Sequence, residues 1–260
     1  MTSYDNVGDF GLLYDSVPAY QARTDVGFYV EEARNERSIL EIGCGTGRVL
    51  LPIARSGAII TGLDSSVSML TRCGDRVEAE PAEVRQRVSL KEGDIRDFNF
   101  PDKFTLVIAP FRILQHLKTI DDQLKCLATV RRHLEPGGRF IFDVFNPFYA
   151  LLVKDRSVEA EETPELQLTD GRFMRRSYRI SRVRFVDQVN EVELIYYVRS
   201  GDATERVVQS FEMRWYNKAE LEHLLVRAGF TVEAIYGGFD RRPLTDDAPE
   251  IIVVARNLSR

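Results

Sequence analysis

Three glycines at every second position, Gly43, Gly45 and Gly47, follow the apolar run Ile39-Leu40-Glu41-Ile42, and a helical pattern begins directly behind them. Glycines there let the backbone turn tightly and approach a ligand with no Cβ in the way. The helix start offers N–H groups and the positive end of a dipole. A second apolar run, Ala58 to Leu63, ends at Asp64, 21 residues after Gly43. A carboxylate at that place can accept both hydroxyls of a ribose, which is the nucleoside-binding logic of doubly wound α/β folds. His116 is the best local candidate for a base, with an unperturbed pKa of about 6.5. The alternative for His116 is a packed or capping histidine at a helix start.

Glycine spacing narrows the ligand. A dinucleotide fingerprint counted from Gly43 needs its third glycine at position 48, where Arg48 stands. The pattern present, from Glu41 to Gly47, is E-x-G-x-G-x-G. It resembles motif I of the class I S-adenosylmethionine-dependent methyltransferases, and Asp64 resembles the motif II acid of that family. The resemblance spans about residues 10–147 and 217–256. It implies a Rossmann-like fold, a doubly wound seven-stranded mixed sheet, with S-adenosyl-L-methionine as cofactor and a nitrogen or oxygen atom of a small molecule as methyl acceptor. The cofactor site it implies comprises Glu41, Gly43, Cys44, Gly45 and Gly47, then Asp64, Ser65 and Met69. Asp94 and Ile95 would stand at the adenine, and Pro110 and Phe111 beyond the fourth strand. The same resemblance implies an N-terminal helical arm, residues 1–36, folded over the cofactor. Tyr14, Tyr20 and Arg23 would close the site, Arg23 against the cofactor's carboxylate. For Tyr14, Tyr20 and Arg23, packing of the arm onto the core is the alternative.

The elements that must position these residues follow a β-α rhythm. Val49, Leu50, Ile53 and Ala54 make one helical face, stopped by Gly57. Ser65 or Ser66 caps the next helix, and Pro81 breaks it. A short strand, Val88 to Leu90, leads to Gly93-Asp94. Leu106 to Ala109 reads as a buried strand that ends in the loop carrying Pro110, Phe111, Gln115 and His116. Thr119 and Asp122 have capping-box spacing, and Pro136-Gly137-Gly138 ends the helix that they begin. Arg139 to Val144 is the next strand.

From 148 to 216 the rhythm stops. An acidic, strand-poor stretch precedes three strand-like runs, Phe173–Phe185, Val192–Arg199 and Arg206–Trp215. We read an antiparallel β insertion joined edgewise over the open side of the core, which comprises 37–147 and 217–260. Gln115, Tyr178 and Tyr197 are candidate acceptor contacts, with ordinary sheet packing as the alternative for the tyrosines. Asn217 and Glu220 cap a helix, and Thr231–Tyr236 and Ile251–Ala255 read as the last two strands.

Composition limits the function classes. The chain has 260 residues, 44% hydrophobic and 29% charged, with a formal net charge of −5. That charge disfavours a generic nucleic-acid binder. Three cysteines in no C-x-x-C pair suggest reduced thiols and a cytoplasmic protein. No apolar run is long enough to span a membrane, and the first residues carry no signal-peptide pattern. Three histidines in no ligand spacing predict no metal. The expected partner is a small-molecule acceptor, with the chain a monomer or homodimer. Rival readings are an NAD-dependent oxidoreductase, against which Arg48 and the hairpin-like C-terminus speak, and a non-catalytic methyltransferase-like binding domain.

Overall fold

Ile39–Ile42 (β1) is buried at every residue, as a strand covered on both sheet faces must be. In the computed structural model, which describes residues 10–258, β1 lies inside a seven-stranded sheet. Its neighbours in chain order are Ile60–Asp64 (β2), Val88–Glu92 (β3), Phe104–Ala109 (β4) and Leu134–Phe145 (β5). An insertion contributes Ala160–Gln167 (β6), Phe173–Arg184 (β7), Val189–Ser200 (β8) and Ala203–Arg214 (β9). Phe230–Tyr236 (β10) and Glu250–Asn257 (β11) complete the strands. The main sheet runs β10-β11-β5-β4-β1-β2-β3. All its pairs are parallel except those of β11, which runs antiparallel between β5 and β10. The chain moves outward through β2 and β3, then returns to β4 on the other side of β1. The switch point between β1 and β4 opens a crevice at the carboxyl ends of the strands.

Helices cover both faces. Phe10–Asp15 (α1), Pro18–Gln21 (α2) and Asp25–Ala33 (α3) form the arm, and Leu50–Arg55 (α4), Val67–Glu78 (α5) and Ala82–Arg85 (α6) follow β1 and β2. Ile120–His133 (α7), Tyr149–Leu152 (α8) and Lys218–Arg227 (α9) complete the set. One core layer packs Leu127 and Val130 of α7 and Leu221 and Leu225 of α9 on Val107, Phe140 and Val253. The other packs Phe28 and Tyr29 of α3, Leu50 and Ile53 of α4 and Cys73 of α5 on Ile39, Ile108 and Ile141. Val49, Leu50, Ile53 and Ala54, the face expected to be apolar, are all buried. Ser66, not Ser65, caps α5, accepting Met69 N at 3.3 Å.

Three expectations need correction. Pro136-Gly137-Gly138 does not end α7, which stops at His133. Those residues lie within β5, where pairing with β4 shifts register and Gly137 takes φ +76°. The acidic stretch is itself a strand, β6, at the edge of its sheet. Its low strand propensity is offset across the sheet, where Glu162 pairs with Arg176 and Glu165 with Arg199. The insertion is a separate sheet, β6-β7-β8-β9, not an edgewise extension of the main one. It is sealed to the arm instead. Phe10, Leu13 and Val17 pack with Met69 of α5 and with Met174, Tyr196 and Val198 of the insertion. The start of the predicted arm and the signal-peptide reading of the first residues lie outside the described residues.

Candidate cofactor and acceptor site

The glycine loop adopts the conformations its sequence requires. Gly43, Gly45 and Gly47 have φ of +72°, +54° and +81°, a region costly for residues with a Cβ. A Cβ at Gly43 would also lie 2.3 Å from Ile113 Cδ1. Gly45 N donates to Asp64 Oδ2 at 2.8 Å, and Ser66 N donates to Oδ1 at 2.9 Å. The acid after β2 is thereby fixed against the loop after β1. A carboxylate offers about four acceptor positions, so this anchoring is compatible with ribose hydroxyls as further donors. Glu41 is buried, and its Oε2 has no hydrogen-bond partner among the described residues. Burial holds its carboxyl well above the usual carboxylate range, and the neighbouring Cys73 adds to the effect.

A network of buried charges shapes the loop after β4. Asp25, fully buried, takes both terminal nitrogens of Arg48, at 2.7 and 2.6 Å. Arg23 reaches Asp25 at 3.1 Å, Asp143 at 3.3 Å and Glu250 at 3.0 Å. Arg112 adds a second bond to Glu250, at 2.8 Å. Asp143 Oδ1 also accepts Tyr29 Oη and Phe111 N, both at 2.8 Å. Burial lifts Asp143 to about 6, against the pull of Arg23. Phe111 and Arg112 are consecutive non-glycine residues with φ of +60° and +69°. Such conformations cost on the order of 1–3 kcal/mol each. They are held here by the Asp143 bond and by the guanidinium groups of Arg23 and Arg48, 4.8 and 5.0 Å from the centre of the Phe111 ring.

The arm forms the roof. Asp15 accepts Thr46 Oγ1 at 2.6 Å and Arg72 Nε at 2.5 Å, tying α1 to the glycine loop and to α5. Tyr14 packs on Tyr20 at 4.8 Å between ring centres, and Tyr20 on Phe111 at 5.0 Å. Arg176 of the insertion donates to Tyr20 Oη.

Beneath the roof one cavity of about 700 Å³ runs from Glu41, the glycines and Asp64 to the inner face of the insertion. Strand register puts Tyr178 beside Leu194, and Ile180 beside Val192 with Phe211 on its far side; all five line the cavity. His116 lines it too, its ring 5.6 Å from that of Phe211. Burial, helped by Lys118, draws its pKa down to about 4.

The structure therefore gathers Tyr14, Arg23, Glu41, Gly43, Cys44, Gly45, Asp64, Met69, Pro110, Phe111, His116 and Tyr178 around one space. Gly47 supports that loop from behind, where a Cβ would meet Cys73 Sγ at 2.7 Å. Other expected contacts fall elsewhere. Ser65 is exposed and outside the lining. Asp94 is chelated by Arg96, two residues on, and neither it nor Ile95 lines the cavity. Arg23 is not a free cation awaiting a carboxylate, because three protein carboxylates already surround it. Gln115 is a buried strut that donates to Arg214 O at 2.6 Å and accepts Phe145 N at 3.0 Å. Tyr197 lies on the opposite face of the insertion sheet. Its hydroxyl donates to Glu159 at 2.9 Å and Arg175 covers its ring at 3.8 Å.

Sequence reasoning missed Asp25, Arg112, Asp143 and Glu250, and it weighed Arg48 only as a departure from the dinucleotide pattern. It also missed Asn146. That side chain donates to Ala248 O at 2.9 Å and holds the loop before β11 at the cavity edge. An acid inside the apolar strand Arg139 to Val144 was the one available signal, since a buried Asp demands partners.

Comparison with known proteins bears on this geometry. The family described as methyltransferase domain matches residues 39–138. A dTDP-3-amino-3,4,6-trideoxy-alpha-D-glucopyranose N,N-dimethyltransferase of Streptomyces venezuelae is 27% identical over 82% of this chain and 83% of its own. A dTDP-3-amino-3,6-dideoxy-alpha-D-glucopyranose N,N-dimethyltransferase of Streptomyces fradiae is 26% identical over 94% and 92%. The solved structure of the CcbJ methyltransferase from Streptomyces caelestis superposes with a TM-score of 0.78 at 23% identity, covering 99% of each chain.

Proposed function

We propose that this chain, which belongs to the class I S-adenosylmethionine-dependent methyltransferases, methylates the amine nitrogen of a small molecule, with amino sugars as the first class to try. The observation that carries the reading is the single cavity joining the glycine loop to the insertion wall. Two relatives spanning most of the chain are named as amino-sugar N,N-dimethyltransferases, which favours nitrogen over oxygen as acceptor.

The residues present fit the cofactor. Glu41 offers a buried carboxyl oxygen with no partner among the described residues, suited to an ammonium group, and Asp64 is fixed where a ribose would be read. Gly45 leaves the backbone open to close approach, Gly43 makes room for Ile113 beside the loop, and Phe111, Tyr14 and Met69 supply apolar contact. Bound there, S-adenosylmethionine supplies an electrophilic sulfonium methyl open to in-line attack by an amine lone pair.

His116 then has a narrower role than general base. At about 4 its imidazole is neutral throughout the physiological range. Taking a proton from an ammonium of pKa about 8 would be uphill by about four pK units, or roughly 5 kcal/mol. The ring instead accepts an N–H hydrogen bond from an amine that arrives neutral, and so turns the lone pair. Positioning of this kind accounts for much of the acceleration available to a displacement. The work is done in the cytoplasm, which suits three unpaired cysteines, and on a free small molecule, not a nucleic acid, by a monomer or homodimer.

The test uses labelled cofactor and amino sugars, free and nucleotide-linked, each paired with its hydroxyl counterpart. Label should enter an amine and not the matched alcohol. Transfer to the alcohol alone would overturn the choice of nitrogen.

A further inference from the structure

Most charges around the cavity are already committed. Arg23, Arg48 and Arg112 are paired with carboxylates, and Glu162 is paired with Arg176. The arginines on the outer face of the insertion, including Arg175, Arg179 and Arg199, face glutamates there. Arg156 differs. It lines the cavity, makes no ion pair among the described residues, and has a buried Nε with no hydrogen-bond partner. Its place is fixed by the backbone, since Ile180 N donates to Arg156 O at 2.8 Å and bolts the residue to the wall-forming strand β7. A second orphan lines the same space. Asn190 of β8 is 4% exposed, and its Oδ1 has no partner among the described residues. Between them the wall is apolar: Ile180, Val192 and Phe211. Buried polar groups are paired as a rule, and a guanidinium fork matches a carboxylate or a phosphate.

We propose that Arg156 anchors an anionic group of the acceptor, a phosphate or a carboxylate, while Asn190 accepts a hydrogen bond from a hydroxyl or amine on the same molecule. The proposal rests on the methyl-transfer reading of the cavity and adds a substrate class to it: an amine that also bears an anion. A neutral amine would leave the buried Nε of this half-buried guanidinium without an acceptor, so Arg156 selects as well as binds.

Calorimetric titration tests this with and without saturating S-adenosylhomocysteine. Thymidine 5′-diphosphate against thymidine forms the phosphate arm, and octanoate against octanamide forms the carboxylate arm. Wild-type protein should prefer the anion over its neutral counterpart by at least about tenfold in one arm. Arg156→Gln should erase that preference, and Arg156→Lys should keep part of it as a point charge. Thermal melts of both variants report folding. Absence of an anion preference in wild type, or its persistence in Arg156→Gln, would overturn the proposal. Failure of S-adenosylhomocysteine to bind would strike the methyl-transfer reading instead, and the titrations without it still score Arg156.

Discussion

Replacing Asp64 with alanine should separate nucleoside recognition from the rest of the site. The carboxylate holds Gly45 N at 2.8 Å and Ser66 N at 2.9 Å, one on each oxygen. Alanine removes both of these bonds together with the acceptors offered to a ribose. A hydrogen bond to a charged group contributes about 1.5–3 kcal/mol. Losing one to the ligand therefore weakens S-adenosylhomocysteine binding by roughly ten- to a hundredfold, and losing two weakens it further. Adenosine, which carries the same ribose, should lose affinity by a similar factor. Asparagine keeps one acceptor oxygen and turns an N–H toward the other backbone donor, so Asp64→Asn should fall between wild type and alanine. The two loop N–H groups left to water should cost stability about 1 kcal/mol each in urea denaturation. Calorimetry of both ligands with both variants checks the reasoning. Alanine binding within twofold of wild type would mean that the nucleoside does not lie against Asp64, whatever else the cavity holds.

Glu41 should ionise when a cationic ammonium docks beside it, because an opposite charge lowers an acid's pKa. Titrations in buffers of different ionisation enthalpy should then show proton release on cofactor binding, abolished in Glu41→Gln; equal release from both proteins would assign the proton elsewhere. Gly43→Ala combines a positive φ with a contact to Ile113 that a Cβ cannot make, and it should abolish measurable cofactor binding in a chain that still folds; near-normal affinity would contradict the loop geometry. Arg23→Met should destabilise by about 3–5 kcal/mol, since Asp143 and Asp25 lose a buried partner. In wild type, Asp143 is raised to about 6, so its contribution to stability is full below the unfolded value of about 4 and is lost as pH rises through 6. Without Arg23 the ionised form is costlier still, and the deficit should be larger at pH 8 than at pH 5 in denaturant melts; a pH-independent deficit would exclude Asp143 as its source. Tyr178→Ala should raise the acceptor KM while Tyr197→Phe leaves it unchanged, because the two rings lie on opposite faces of the insertion sheet; the reverse pattern in steady-state kinetics would refute that placement.

What the sequence made legible is what lies close together along the chain. Glu41, the three glycines and Asp64 fall within one β-α-β unit, where local geometry and ligand chemistry coincide. The succession of strands and helices along the core could be read for the same reason, since buried runs alternate with helical stripes. Arg23, Asp143 and Glu250 are 120 and 227 residues apart, and no pattern of period two or 3.6 announces that they meet. Asp94 looked available because the turn at Gly93 is legible, while the return of Arg96 onto it is a side-chain event. Tyr197 is a different kind of miss. The alternation that groups Val192, Leu194, Tyr196 and Val198 on one face already turns Tyr197 to the other, so period two excluded it from any pocket that the even-numbered residues line. The acidic strand β6 was hidden because its partners, Arg176 and Arg199, belong to other strands, β7 and β8, and propensity alone argues for a loop.

The account stands on one claim, that the cavity between the glycine loop and the insertion is where cofactor and acceptor meet. A crystal structure of the chain with S-adenosylhomocysteine tests it most directly. The account predicts the ribose hydroxyls on Asp64, the amino group at Glu41, and the sulfur facing the space bounded by His116, Tyr178 and Phe211. Ligand density outside that cavity, or a nucleoside bound with its ribose away from Asp64, would contradict it.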